Sequence, residues 1–221
     1  MPKSKRQKIV SLTKTESKGR ADKEALFEQI RTCADEFNNI FVFSVENMRN
    51  YYLKDIRNEW KSSRFFFGKN KVMAKALGNT EEEEYKEKLH HIADALIGDV
   101  GLLFTNKSVE EVKKFFEDYK QQDYPRSGYV ATDEVVIPSG PVKRGAEDSF
   151  PHNMEPQLRG LGMPTMLKNG IVTLPVDYTI CKVGDTLTPH QAQLLKLFYI
   201  QMAEFQVQLK CAWTNGEFEE F

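Results

Sequence analysis

The sequence predicts an α/β fold: a layered domain with a mixed sheet, carrying an inserted smaller α+β domain. Three observations carry this. From Asp22 to Tyr119, segments with apolar residues at three- and four-residue steps alternate with short continuous apolar runs. Residues 125–165 then hold Pro125, Pro138, Pro141, Pro151, Pro156 and Pro164 together with five glycines, a density that marks irregular connections. Beyond them, Phe205, Val207, Leu209, Cys211 and Trp213 alternate with polar residues, the pattern of a strand with one buried and one wet face. A clean antiparallel strand after an irregular region suggests that the chain returns to its first sheet. The expected division is a basic arm over 1–20, one α/β domain over 21–125 plus 201–221, and an inserted domain over 126–200.

The elements follow in order. Leu26, Phe27, Ile30, Cys33, Ala34 and Phe37 share one helical face, which Asn38-Asn39 ends. Ile40–Val45 is a strand covered on both faces. Asn47 is placed to cap the next helix, whose inner face is Tyr52, Leu53, Ile56 and Trp60. Phe65–Phe67 is a short strand, and Asn70 is placed to cap a short helix that Gly78 terminates. Glu81–Glu84 favour a helix start, where carboxylates meet the positive end of the dipole, with Tyr85, Leu89, Ile92 and Leu96 as its stripe. Val100–Phe104 is a third strand. Ser108 opens a capping box ahead of Val112, Phe115, Phe116 and Tyr119. Short strands are expected at Glu134–Ile137 and Ile171–Leu174. Thr188-Pro189-His190-Gln191 opens a last helix, and Asn215-Gly216 is a turn signal.

A chain of 221 residues needs neither disulfides nor a metal to hold a core. Cys33, Cys181 and Cys211 are odd in number and form no C-x-x-C pair, so they read as reduced thiols. No apolar run reaches membrane-spanning length, and the basic N-terminus is followed by no apolar stretch of a secretory signal. Enzymatic signals are weak. Gly68-Lys69-Asn70 superficially resembles the end of a phosphate-binding P-loop, but Ser63 stands where its first glycine belongs and Asn70 where Ser or Thr would hold magnesium. His90, His91, His152 and His190 have no metal-ligand spacing, and there is no G-x-S-x-G elbow. Neither a catalytic residue, a metal site nor a cofactor is expected.

Charge is the stronger signal. The net charge of −1 hides a strong segregation. Residues 1–20 carry seven Lys and Arg against Glu16 alone; Lys3, Lys5, Arg6 and Lys8 lead this arm. Between Glu46 and Lys75 stand eight cations against three acids, whereas residues 81–123 hold twelve acids against six Lys. Lys54, Arg57 and Lys61 recur at helical steps on one face, and Lys71 and Lys75 do so on the next helix. Gly68-Lys69-Asn70 leads into that helix, whose free backbone N–H groups favour phosphate, and a bare glycine admits a nucleic-acid backbone. Two ordinary solvated helix faces would show the same periodicity.

The stretch Tyr51-Tyr52-Leu53-Lys54-Asp55-Ile56-Arg57 through Gly68-Lys69-Asn70-Lys71-Val72-Met73-Ala74-Lys75-Ala76-Leu77-Gly78 resembles the RNA-binding segment of the large-subunit ribosomal stalk-base protein. Ser127–Ala131, Val135–Pro138, Leu161–Thr165, Asn169–Val172 and Val183–Asp185 continue the likeness in matching order over nearly the whole chain. The stalk-base protein runs on for about another hundred residues where this chain stops. The basic Met1–Lys8 arm and Lys71-Val72-Met73 also depart from it. The chain is therefore more similar to the mRNA turnover protein four family, the ribosome-assembly paralogue of the stalk-base protein.

That resemblance implies a non-enzymatic placeholder that binds the stalk base of large-subunit rRNA in pre-60S particles and is later exchanged for the ribosomal protein. Lys3, Lys5, Arg6, Lys8, Lys54, Arg57, Gly68, Lys69, Asn70, Lys71 and Lys75 are its expected RNA-binding residues. Expected partners are the rRNA, the pre-60S particle, neighbouring large-subunit proteins and a phosphatase-like release factor, with no membrane. The expected location is the nucleolus and nucleus, with shuttling to the cytoplasm left open. Two other readings remain: a truncated stalk-base protein of mature ribosomes, and a phosphate-handling enzyme built on Gly68-Lys69.

Overall fold

The structure, a computed structural model, describes residues 19–145 and 148–221. Helix α1 (Arg20–Glu36) leads into β1 (Asn39–Glu46), then α2 (Asn50–Glu59), β2 (Arg64–Phe66), α3 (Asn70–Leu77), α4 (Leu89–Asp94), β3 (Val100–Thr105), α5 (Val109–Asp118) and β4 (Gln121–Asp123). Short elements follow: β5 (Val135–Ile137), β6 (Gly140–Pro141), β7 (Lys143–Arg144), β8 (Asp148–Ser149), α6 (Glu155–Gly160), β9 (Met166–Lys168), β10 (Ile171–Leu174), β11 (Tyr178–Cys181) and α7 (Pro189–Leu197). The long β12 (Ala203–Thr214) and β13 (Glu217–Glu220) close the chain.

The main sheet runs β13-β12-β1-β3-β2, with β4 beside the start of β12. The returning strand therefore lies next to the first one, as its alternation suggested. The layered α/β arrangement is as expected, but the parallel neighbours of a mixed sheet are not found. Every strand pair among the described residues is antiparallel. Alternation of helix and strand along a sequence does not fix strand direction, and here helices lead into neighbours that reverse.

β1 is covered on both faces because successive side chains point to opposite sides. Ile40 and Val42 join α1, α3 and α4 through Ile30, Met73, Leu77 and Ile92. Phe41 and Phe43 join α2 and α5 through Ile56, Trp60, Val112 and Phe116. Helices thus lie on both sides of the sheet. β12 serves both layers by a different device. Its register against β1 slips between Val42 and Phe43, which pair with Cys211 and Leu209 and leave Lys210 over. Such a bulge turns the following side chains to the other face. Phe205 and Val207 accordingly pack with α2 and α5, while Cys211 and Trp213 pack with α1, α3 and α4. The single buried face expected for this strand is corrected to two half-faces.

Residues 125–200 contribute a separate core. Val135, Val142, Leu158, Met163, Val172, Ile180, Leu194 and Phe198 are buried together between α6, α7 and the short strands. Thr188 accepts from the Gln191 backbone N–H and the Gln191 side chain closes the capping box of α7. Connection to the main sheet is a two-strand ladder: Asp123 lies opposite Ala203 and Gln121 opposite Phe205. The phenol of Tyr129 also donates to Met202 O at 2.9 Å.

Three local expectations are corrected. Asn47 caps no helix; it sits at φ 48° and its amide donates to Glu204 O at 2.7 Å. Asn70 is the first residue of α3 rather than its cap, which is Lys69. Residues 81–83 form a turn, and the helix begins only at Leu89 after Lys88 at φ 61°. The chain there folds back on α3: Tyr85 N donates to Leu77 O at 2.8 Å, and the Glu84 backbone fills the space that a Cβ on Gly78 would need. Gly78, at φ 104°, does end α3.

Candidate nucleic-acid interface

α1 lies along one side of the sheet, with α3 packed against it, and the exposed cations collect in the hollows between them. Three concavities follow one another around the N-terminal half of α1. The first, about 490 Å³, is lined by Arg57, Lys61, Arg64 and Gln29. The second, about 530 Å³, shares Gln29 and adds Leu26, Phe67, Gly68 and Lys69. The third, about 370 Å³, shares Lys23 and Val72 with the second and is lined by Arg20, Phe27, Lys71 and Lys75. Eight cations therefore border one continuous concave strip. Asp22 and Glu24 are the acids that line it, and Glu24 is held by Arg20 at 2.6 Å. Among the described residues, none of the other seven cations forms an ion pair.

An aromatic ring lines the second hollow. Phe67 stands edge-on to Phe43, ring centres 5.1 Å apart, and the Arg57 guanidinium lies 5.7 Å from its ring centre. That placement leaves Arg57 oriented over an aromatic face rather than sprawling in solvent. α3 begins beside it. Its cap residue Lys69 supplies no side-chain hydrogen bond to the helix start, so the partial positive charge there adds to the field of Lys69 and Lys71.

The expected residues sort into three groups. Arg57, Lys69, Lys71 and Lys75 are brought together here. Lys54 is exposed on α2 but lines none of the three hollows. Lys61 lies one residue past the helix cap Trp60, in the turn, so it reaches the first hollow from a loop and not from the face of α2. Lys3, Lys5, Arg6 and Lys8 fall outside the described residues. Two of the expected residues also have structural contacts of their own. Asn70 spends its amide on Gly98 O at 2.7 Å, which ties α3 to the turn before β3. A Cβ on Gly68 would stand 2.6 Å from Leu26 Cδ2 and 3.3 Å from Met73 Cγ. Its missing side chain serves the close approach of α1, while the glycine itself lines the second hollow.

Sequence reasoning missed Lys23 and left Arg20 in the arm. Both are on α1 and line the third hollow. Arg20, Lys23 and Phe27 recur at steps of three and four, which was a visible signal; reading that helix only for its apolar stripe hid it.

Comparison with known proteins bears on what such a surface serves. Residues 18–121 match the family model of ribosomal protein L10, and residues 125–200 match the model of the insertion domain in the 60S form of that ribosomal protein. The uL10 proteins of Thermococcus onnurineus and Podospora anserina are 24% and 27% identical, but the match takes in 55% and 60% of their lengths. The ribosome assembly factor mrt4 of Schizosaccharomyces pombe is 50% identical over 95% of this chain and 90% of its own. That of Dictyostelium discoideum is 42% identical over 99% and 96%, and that of Saccharomyces cerevisiae 39% over 97% and 94%. The chain belongs to the Mrt4 family of ribosome assembly factors. End-to-end coverage of the Mrt4 relatives sets it apart from the longer uL10 proteins, so the truncated stalk-base reading fits less well. All eight cations of the strip lie in the L10-matched stretch that the Mrt4 family shares with uL10.

Proposed function

We propose that the chain is a ribosome assembly factor that binds large-subunit rRNA at the stalk base within a pre-60S particle. It acts as a non-catalytic placeholder later exchanged for the stalk-base ribosomal protein. The observation that carries this reading is the continuous concave strip of Arg57, Lys61, Arg64, Lys69, Lys71, Lys75, Lys23 and Arg20. Among the described residues its cations are unneutralised apart from Arg20, as phosphate contact requires. Folded RNA is read largely through its backbone and shape, and a curved strip of point charges suits that. Exchange follows from competition, because two proteins built on the same L10-type unit present equivalent surfaces to one RNA site. A phosphatase-like release factor would assist the exchange, and the work would be done in the nucleolus and nucleus. Among the described residues no helix is long and apolar enough to cross a membrane.

The test is binding of the chain to a stalk-base rRNA fragment and to a same-length control hairpin over a salt series. Selective binding that weakens with salt, and that a uL10 protein displaces, is expected. Lys69→Glu combined with Lys71→Glu should weaken it at least about tenfold. Unchanged affinity in that double variant would remove the strip from the reading.

A further inference from the structure

A second concave site lies where the L10-type unit meets residues 125–200. It is an open groove of about 530 Å³, flanked by the start of α2, by the connection Tyr124–Ser127 and by α7. Tyr51 is an exposed wall of it: it is 69% exposed, yet its ring is steadied in a T-shaped pair with Tyr52 at 5.5 Å. Tyr52 is in turn anchored on Phe205 at 5.2 Å. An aromatic ring held by a neighbouring ring and largely open to solvent is a platform for stacking. Arg126 and Lys196 line the groove, one from the connection and one from α7. Both are exposed, and neither has an ion-pair partner among the described residues. The carboxylate that lines it, Asp123, is already neutralised by Arg49 at 2.5 Å. Arg49 also donates to Tyr124 O at 2.6 Å, so its charge is spent on holding the connection in place.

We propose that this groove holds an unpaired nucleotide of the bound RNA, its base stacked on Tyr51 and its phosphate between Arg126 and Lys196. A largely exposed aromatic ring beside two cations that have no ion-pair partner among the described residues is the recognition chemistry of single-stranded nucleic acid. The groove is also in line with the basic strip. Tyr51, Lys54 and Arg57 follow at steps of three along α2 and so share its exposed side. The distance from the first to the last is about 9 Å at the helical rise per residue. Lys54, which lines none of the three hollows, becomes the link between strip and groove. The inserted region thereby contacts RNA directly through Arg126 and Lys196.

The inference rests on the RNA-binding reading above, and the experiment separates the two. Affinities of the full chain, Tyr51→Ala, Tyr51→Phe and Arg126→Glu/Lys196→Glu are measured for the stalk-base rRNA fragment. Ultraviolet crosslinking of the wild-type complex is then read by mass spectrometry. Tyr51→Ala is expected to weaken binding about tenfold, Tyr51→Phe to leave it within about twofold, and the double charge reversal to weaken it and flatten its salt dependence. A nucleotide adduct should appear on Tyr51 or on residues 124–127. If the wild type binds with salt dependence, the variants bind as well as it does and no adduct forms in the groove, this inference falls while the strip stands. If the wild type does not bind the fragment, both fall. If the double reversal spares RNA binding but releases the chain from pre-60S particles, the groove takes a protein and the nucleotide assignment is wrong.

Discussion

Leu26 of α1 occupies the space that a side chain on Gly68 would need, its Cδ2 lying 2.6 Å from the missing Cβ position. The loop ahead of α3 is therefore pressed against α1, and that contact fixes how the second hollow of the strip is shaped. Gly68→Ala forces the flexible Leu26 tip to move and should cost about 1 kcal/mol, and Gly68→Val about 3 kcal/mol, as overpacked cores do. Urea unfolding midpoints check this. Equal midpoints for all three proteins would mean that α1 is not held against the loop.

Lys23 and Lys75 border the third hollow from two different helices. If both meet phosphate, removing either subtracts one released counterion. Lys23→Ala and Lys75→Ala should each lower the slope of log affinity against log salt by about 0.7 to 0.9, without changing the preference between RNA fragments. A slope equal to the wild-type value in Lys23→Ala would confine the RNA surface to α2 and α3.

Glu84 Oε2 lies 2.6 Å from His90 Nδ1. That hydrogen bond, above all other influences, holds the Glu84 carboxyl below its ordinary range. A carboxyl depressed in the folded state adds stability that is complete above its unfolded value and is lost as pH falls through the folded one. Between about pH 6 and about pH 3, thermal unfolding of His90→Ala should therefore fall less steeply than that of the wild type. Parallel curves would show that the pair contributes nothing to acid sensitivity.

Cys33, Cys181 and Cys211 are all buried, and burial pushes the Cys211 thiol up to about 11. At pH 8 its thiolate is then about one part in a thousand, and thiolate is the reactive form. A chromogenic disulfide reagent should find no fast thiol in the native chain and three in guanidinium. A fast native thiol would point to local opening of β12 or of the inserted core.

Much of this architecture is legible in the sequence where side-chain period reports burial. Ile171–Leu174 is a strand as expected, the Thr188–Gln191 box forms, and Asn215 and Gly216 take the positive φ values of a tight hairpin turn. The failures share a cause. Asn47 and Asn70 look like caps locally, but each amide is claimed by a carbonyl far along the chain, Glu204 and Gly98. Glu81–Glu84 look like a helix start, but the turn is drawn onto the end of α3. In the candidate site, the cations of α2 and α3 were visible as a cluster. Their meeting with Arg20 and Lys23 depends on how α1 packs, which no local pattern carries. The groove beside Tyr51 joins residues from both ends of the inserted region and had no linear signature at all.

The face switch at Lys210 constrains the order in which the molecule can be made. β1 can pair with β3 once the first half of the chain exists, but its other flank stays bare until β12 emerges. Because β12 feeds one layer before the bulge and the opposite layer after it, a single late docking event seals both sides of the sheet. Non-local pairings of this kind close last. The strip, although drawn from residues between Arg20 and Lys75, rests on a layer that Cys211 and Trp213 complete. A half-synthesised chain therefore carries the charges of the strip without the packed layer that shapes it, and the concave surface exists only once β12 has docked.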